Sequence, residues 1–348
     1  MFHLVVMACL SAEPAICAER LLPLPEPLTE AACTETATAR IAEWGGLHAD
    51  LVTGDWRCRA TADLPALSVR EIAPGVYVHA PEAQPLSPSN GGDIANLGFI
   101  VGDTVAVIDT GASRAIGEQL FAAIRQITDR PISHAIITHM HPDHSFGAEV
   151  FAEAGAEILG HRNLPSGLER RMETWAESIP RQIGALAMLG TRVRLPARTV
   201  SVSEEITLGG ATLRLDPVPT AHTDNDLTIY HFESGTLFTG DLVFAELAPS
   251  IDGSLLGWLT WLATPPDPLP RQIVAGHGPA PMGWADGTAP VRAYLTAIAE
   301  QTRAAIRAGE PMSVAADKVG VDQRGDWRGF DEMNERNAIA AFKELEWE

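Results

Sequence analysis

The stretch Thr138-His139-Met140-His141-Pro142-Asp143-His144 places three imidazoles and a carboxylate within six positions. Such residues are costly to crowd, because protonated rings repel one another and neutral rings without partners lose their hydration. A bound cation removes both costs. In locally extended chain His139 and His141 point the same way and can grip one metal, whereas Asp143 and His144 turn with the backbone and can face a second. A catalytic metal takes at least three protein ligands and keeps a position for water, so further ligands must come from elsewhere. Thr220-Ala221-His222-Thr223, Thr239-Gly240-Asp241 and Ala275-Gly276-His277-Gly278 each offer a polar side chain beside small residues at the end of a short apolar run.

The elements that must position these residues read as alternating strands and helices. Ile132 to Thr138 is apolar and β-branched, so the cluster lies on the loop leaving a buried strand, where α/β sheets place their chemistry. Asp109 in VIDTG likewise ends the strand Thr104–Ile108, which pairs in a hairpin about Gly102-Asp103. Thr236–Phe238 is a strand ending at Thr239-Gly240-Asp241, and Val200–Leu208, Ala211–Val218 and Leu227–Phe232 complete a second run of strands. Helical periodicity covers Ser113–Ile127, Ser145–Ala154 with Ser145 as its N-cap, Arg162–Leu189 with a break near Pro180, Pro290–Ala308, and two segments of the tail from Glu310 to Glu348. A helix over Leu28–Trp44 should stop at Gly45-Gly46. Two runs of strands with attached helices imply an α+β sandwich of two facing sheets with helices outside, an αββα arrangement. The loop Pro81–Ile94 is either a binding element or an ordinary surface connection.

Composition limits the function classes. Hydrophobic residues make up 46% of 348, yet no apolar run approaches the ~20 residues of a membrane span. A net charge of −20, with lysine only at Lys318 and Lys343, argues against nucleic acid and anionic membranes as partners and leaves a small-molecule substrate. All four cysteines, Cys9, Cys17, Cys33 and Cys58, fall in the first sixty residues without a CxxC pair. Two disulfides in an oxidising compartment follow, with three connectivities open. Phe2–Leu10 lacks a preceding basic residue and is short for a signal peptide, so it reads as a strand of the mature chain. The expected units are 1–64, a small cysteine-bearing domain; 65–289, the catalytic domain; and 290–348, a helical extension.

The order HxHxDH, then His222, Asp241 and His277, preceded by Asp109, resembles the metallo-β-lactamase fold superfamily of metallohydrolases. The resemblance implies a four-layer αββα sandwich holding two Zn²⁺, with iron or manganese as substitutes. His139, His141 and His222 are then assigned to one metal, and Asp143, His144 and His277 to the other. No cysteine lies beyond residue 58, so Asp241, with two oxygens, bridges the ions where some relatives place a thiolate. Asp109 supports the histidine loop from behind. A water between two such cations loses a proton near neutral pH, which implies hydrolysis of an ester, thioester, lactone or lactam, with Asp143 and Asp241 as the catalytic carboxylates. Alternatives are a β-lactam hydrolase, an iron-dependent sulfur dioxygenase-like enzyme, and a non-catalytic redox-relay factor. Asp252 and Ser254 are the substrate-contact candidates, any anion clamp must be arginine or hydroxyl, and Trp258 and Trp261 read as core.

A narrower resemblance is carried by THMHPDH, GDIANLGFIVGD, PTAHTDND, GDLVFAELAPSIDGSLLGW, AGHGPA and the terminal EWE, together with the cysteine-bearing N-terminus. These are similar to the quinoprotein relay system zinc metallohydrolases of the SoxH-like branch. That likeness implies a bacterial periplasmic setting and association with a quinoprotein system.

Overall fold

A computed structural model describes residues 1–348. The first apolar run becomes β1 (Phe2–Leu10), flanked by antiparallel β2 (Cys17–Leu22) and β3 (Leu51–Ala60). Helix α1 (Glu30–Leu47) covers one face of this sheet, and the Thr29 side chain caps it by accepting the Ala32 N–H. Contrary to expectation, α1 runs on through Gly45-Gly46. Trp44 is buried against the sheet and stacks on His48, and that packing outweighs the ~1 kcal/mol penalty of each glycine. The disulfides are Cys9–Cys17, which closes the β1–β2 hairpin, and Cys33–Cys58, which ties α1 to β3.

Two larger sheets follow. The first contains β4 (Arg70–Ala73), β5 (Val76–His79), β6 (Leu97–Val101), β7 (Val105–Ile108), β8 (Ile132–Ile137), β9 (Glu157–His161) and β10 (Arg198–Val200), ordered β10-β9-β8-β7-β6-β5-β4. The second holds β11 (Glu204–Thr207), β12 (Thr212–Pro217), β13 (Leu227–His231), β14 (Thr236–Phe244) and β15 (Gln272–His277) in sequential order. The single strand expected over Val200–Leu208 is therefore two strands in different sheets: β10 pairs with β9 and β11 with β12. Three residues between them carry the chain across the sandwich.

The sheets face each other through Ile100, Ile108 and Ile136 on one side and Leu213, Ile229 and Phe238 on the other. The opposite face of the first sheet, including Phe99 and Val107, is buried under α2 (Arg114–Ile127) and α4 (Ala148–Glu153). With both faces covered, its central strands β6 and β7 read as continuous apolar runs instead of alternating ones. Between β8 and α4 lies the one-turn α3 (Pro142–Ser145), and α5 (Leu164–Ile183) and α6 (Ala185–Met188) follow β9. Pro180 sits inside α5, and the break falls instead at Gly184, whose φ of 93° glycine adopts freely. Helices α7 (Leu255–Ala263), α8 (Trp284–Arg307), α9 (Met312–Ala316) and α10 (Phe330–Leu345) form a cluster against β14, centred on Trp258, Tyr294 and Leu295. No helix is long and apolar enough to cross a membrane.

A buried charge network joins the N-terminal sheet to this frame. The fully buried Arg114 donates to Glu118 at 2.7 Å, to Glu153 at 2.7 Å and to the Leu21 carbonyl at 3.0 Å, and His48 lies 3.0 Å from Glu153. Burial opposes ionisation of Glu153, yet the Arg114 and His48 contacts hold its carboxyl down to about 2. Glu153 ends α4, so the network ties the N-terminal sheet to α2 and α4.

Two outcomes follow. Mass spectrometry of unreduced protein should find Cys9 linked to Cys17 and Cys33 to Cys58, each contributing about 2–4 kcal/mol; scrambled or free thiols would contradict the pairing. Arg114→Leu takes the guanidinium from the buried Glu118 and the half-buried Glu153 and should lower urea stability by about 3 kcal/mol. Because the folded value of Glu153 lies below its ordinary 4.5, its contribution is complete above about pH 4.5 and fades toward pH 2. The gap between Arg114→Leu and the parent should therefore narrow in acid.

Candidate metal centre

The chain leaving β8 is pinned before it reaches the first ligand. Asp109, which follows β7 with a left-handed φ of 58°, accepts the Thr138 N–H and hydroxyl at 2.8 Å each and the His144 Nδ1–H at 2.7 Å. One carboxylate thus fixes both ends of the histidine loop. Pro142 then starts α3 and swings Asp143 and His144 back toward His139. Ser145 is not the expected cap of the next helix. It lies in α3, and its hydroxyl donates to the Met140 and His141 carbonyls, bracing the loop.

Asp241 lies inside β14 instead of ending a strand at Phe238. Gly240 has φ 51°, which bends the strand and shifts its register against β15, turning the carboxylate inward without breaking the pairing. A Cβ at Gly276 would collide with Oδ1 of Asp241, so glycine is needed where β15 passes the site.

These elements bring the candidate ligands into two sets. In the first, His141 Nδ1 is 3.0 Å from both His139 Nε2 and His222 Nε2, while Asp241 Oδ2 lies 3.6 and 3.5 Å from those same two nitrogens. In the second, Asp241 Oδ1 is 3.1 Å from His144 Nε2 and 3.3 Å from His277 Nε2, and Asp143 Oδ2 is 3.4 and 3.3 Å from them. A tetrahedral ion with bonds of ~2.1 Å holds its ligands ~3.4 Å apart, so both sets fit one. His144 Nε2 and Asp241 Oδ1 are buried and, despite their closeness, have no partner at a hydrogen-bonding angle. Orphaned buried polar atoms of this kind are what a cation between them would satisfy.

The remaining nitrogen of every ring is engaged. His139 Nδ1–H reaches the Thr138 hydroxyl oxygen at 3.0 Å, His141 Nε2–H the Asp252 carboxylate at 3.0 Å, His222 Nδ1–H the Ser250 carbonyl at 2.7 Å and His277 Nδ1–H the Ile94 carbonyl at 2.8 Å. These partners fix tautomer and ring direction. Burial keeps His139 well below the usual range and His222 down to about 3. Burial opposes charge on His277 too, but Asp241 and Asp143 raise it to about 10, and Asp241, Asp143 and Asp109 raise His144. A cation bound in the second set would compete with protons on these two rings.

A cavity of about 600 Å³ opens over His141, Asp143, Asp241 and His277. Its walls come from α5, through Arg171, Trp175 and Ile179; from α10, through Met333 and Arg336; and from Leu86 in the loop that could have been either binding element or surface. Asp252 lines the cavity, but its carboxylate is engaged by His141 and, at 2.6 Å, by Arg171. Ser254 is not brought to the cavity: its hydroxyl accepts the Gly257 N–H as the cap of α7 and donates to Glu344. Trp258 is core, with its Nε1–H on the Leu242 carbonyl and its ring beside His222. Asn225 and Asn96 were not singled out in the sequence, yet one accepts the Met140 N–H and the other ties the Ala275 and Gly278 carbonyls around His277. Their only signal was membership in TDND and GDIANLG.

Residues 90–303 match the sequence profile of the Metallo-beta-lactamase superfamily. A curated relative, Acyl-coenzyme A thioesterase MBLAC2 of Gallus gallus, is 28% identical over 134 residues, which is 36% of this chain and 45% of that protein. The chain therefore spans less than half of that relative. Among solved structures, a metallo-β-lactamase from Pontibacter korlensis aligns with TM-score 0.53 and 18% identity over 66% of this chain and 99% of its own. The sec-alkylsulfatase Pisa1 from Pseudomonas sp. aligns with TM-score 0.59 and 16% identity over 80% and 50%. At these identities the structural likeness is one of fold.

If Asp109 orients the second set, Asp109→Ala should weaken metal binding about 10–100-fold in a chelator competition while leaving the far-ultraviolet spectrum folded. Unchanged affinity would remove that role.

Proposed function

The chain belongs to the metallo-β-lactamase superfamily, a hydrolase family, and from that premise we propose that it is a two-zinc hydrolase of small acyl compounds: esters, thioesters, lactones or lactams. The observation that carries this reading is Asp241, whose two oxygens face separate sets of imidazole and carboxylate donors. His139, His141 and His222 would hold one ion, Asp143, His144 and His277 the other, with Asp241 shared. Bound there, such ions polarise a carbonyl and lower the pKa of water toward neutrality.

The chain's own groups do the rest. Asp143 lies on the cavity floor, where its carboxylate can orient an incoming water. Trp175, Ile179 and Leu86 offer an apolar wall for the acyl portion, and Arg171 and Arg336 are the guanidinium groups beside it for an anionic portion. The thioesterase relative favours thioesters within the class. A net charge of −20 disfavours nucleic acid substrates. The all-nitrogen-and-oxygen donor set also suits iron or manganese, which keeps an iron-dependent oxygenase as the second reading. On the shared motifs and the two disulfides, we place the protein nearest the quinoprotein relay metallohydrolases of the SoxH-like branch, acting in the periplasm.

Protein purified without chelator should carry close to two zinc equivalents. Asp241→Ala should lose most of one equivalent and cut turnover more than ~100-fold. In a panel of thioesters, esters, lactones, lactams and phosphodiesters, the acyl substrates should lead. Full activity in Asp241→Ala would remove the bridging assignment, efficient phosphodiester cleavage would refute the substrate class, and one tightly held iron with O₂ consumption would favour the oxygenase.

A further inference from the structure

The segment joining β14 to α7 carries the outer partners of two rings in the first ligand set. The Ser250 carbonyl accepts from His222 at 2.7 Å, and Asp252 accepts from His141 at 3.0 Å. Residues 245–254 form neither helix nor strand beyond an isolated pairing of Leu247 with Arg328. Their carbonyls and side chains therefore point where outside bonds hold them.

Backbone groups of His277, Arg328, His222 and Ala221 hold parts of the segment, and the side-chain grips on either side of Ser250 and at Ser254 come from α10, which lies beyond the residues that match the family profile. Asn337, 1% exposed, accepts the Ile251 N–H at 2.9 Å and donates to the Pro249 carbonyl at 2.7 Å, clamping both neighbours of Ser250. Its amide also donates to the Tyr294 hydroxyl at 2.9 Å, which donates to Asn334 at 3.0 Å, which donates to the Val319 carbonyl at 2.7 Å. Glu344 grips the other end of the segment, accepting the Ser254 hydroxyl at 2.6 Å and the Leu255 N–H at 2.7 Å. Buried asparagines inside an apolar helix cluster cost desolvation unless every group is paired. Here the pairing runs to both neighbours of Ser250, the residue whose carbonyl stands behind His222.

We propose that α10 is a positioning element for the first metal, acting through Asn337, with Glu344 as a second grip. This rests on the two-metal reading above. Asn337 touches neither metal set nor cavity. It fixes the peptides on both sides of Ser250, whose carbonyl directs His222. It also anchors Ile251 next to Asp252, which the His222 carbonyl and Arg171 also hold and which directs His141. A helix that merely completes the fold would, when loosened, weaken both metal sites alike or neither. A positioning helix weakens one.

The test is a zinc titration against a competing chelator in the full-length chain. Asn337→Ala should weaken one of the two zinc equivalents about 10–100-fold, the range found for outer-shell partners, and leave the other unchanged. In the His222→Ala background, where only the second set is complete, adding Asn337→Ala should change nothing. Glu344→Ala, at the edge of the segment, should show the same one-site pattern more weakly and serves if Asn337→Ala does not fold. Equal weakening of both equivalents, no change in either, or an effect in the His222→Ala background would overturn the inference. A parent protein that binds no zinc would overturn the proposed function instead.

Discussion

Five imidazoles and two carboxylates stand within one buried cleft, as close as 3.0 Å, and that crowding is the constraint on which the rest of the molecule depends. Left alone, such a cluster would open, because neutral rings lose hydration and charged ones repel. It stays closed because each ring is held from its far side by a carboxylate, a hydroxyl or a backbone carbonyl. The backbone accepts unusual conformations for the same reason. Asp109 and Gly240 take φ values of 58° and 51°, and the surrounding hydrogen bonds and packing hold them there.

The sandwich supplies the geometry. The histidine loop leaves the first sheet after β8, whereas His222, Asp241 and His277 come from the second sheet, so neither half holds a complete set. Burial of apolar side chains between the sheets, Ile108 and Ile136 against Phe238 and Val274, presses the two halves together. Side-chain packing is directionally stiff, which lets a core several residues away keep ligand atoms at constant spacing. The site is thus a consequence of sheet-on-sheet packing and not of any one loop.

Appended elements shape what surrounds the site. Helices α5 and α10 raise the cavity walls, and α10 also holds the segment behind His222. At the opposite side the N-terminal sheet reaches the end of α4 through Arg114 and Glu153. A protein with strong negative charge keeps guanidinium groups at the cavity, Arg171 on α5 and Arg336 on α10, although Arg171 is also paired with Asp252. That pairing makes one wall of the pocket continuous with the support of His141.

What the sequence determined by itself was chemistry tied to local spacing: the crowded stretch from His139 to His144, the apolar strand that leads into it, the glycine-flanked Asp241 and His277, and the grouping of all cysteines near the N-terminus. These are legible because ligand type and short-range spacing are local properties. The tertiary structure alone decided which cysteines pair, that α1 continues through Gly45-Gly46, that β10 and β11 belong to different sheets, and that Ser254 caps a helix while Asp252 backs His141. It also decided that Asn337, more than 80 positions from the residues flanking Ser250, stands behind a ligand. In each case the outcome depends on long-range packing: burying Trp44 outweighs two glycines, and a hydroxyl or amide bonds whichever group the fold brings within about 3 Å, which no local pattern records.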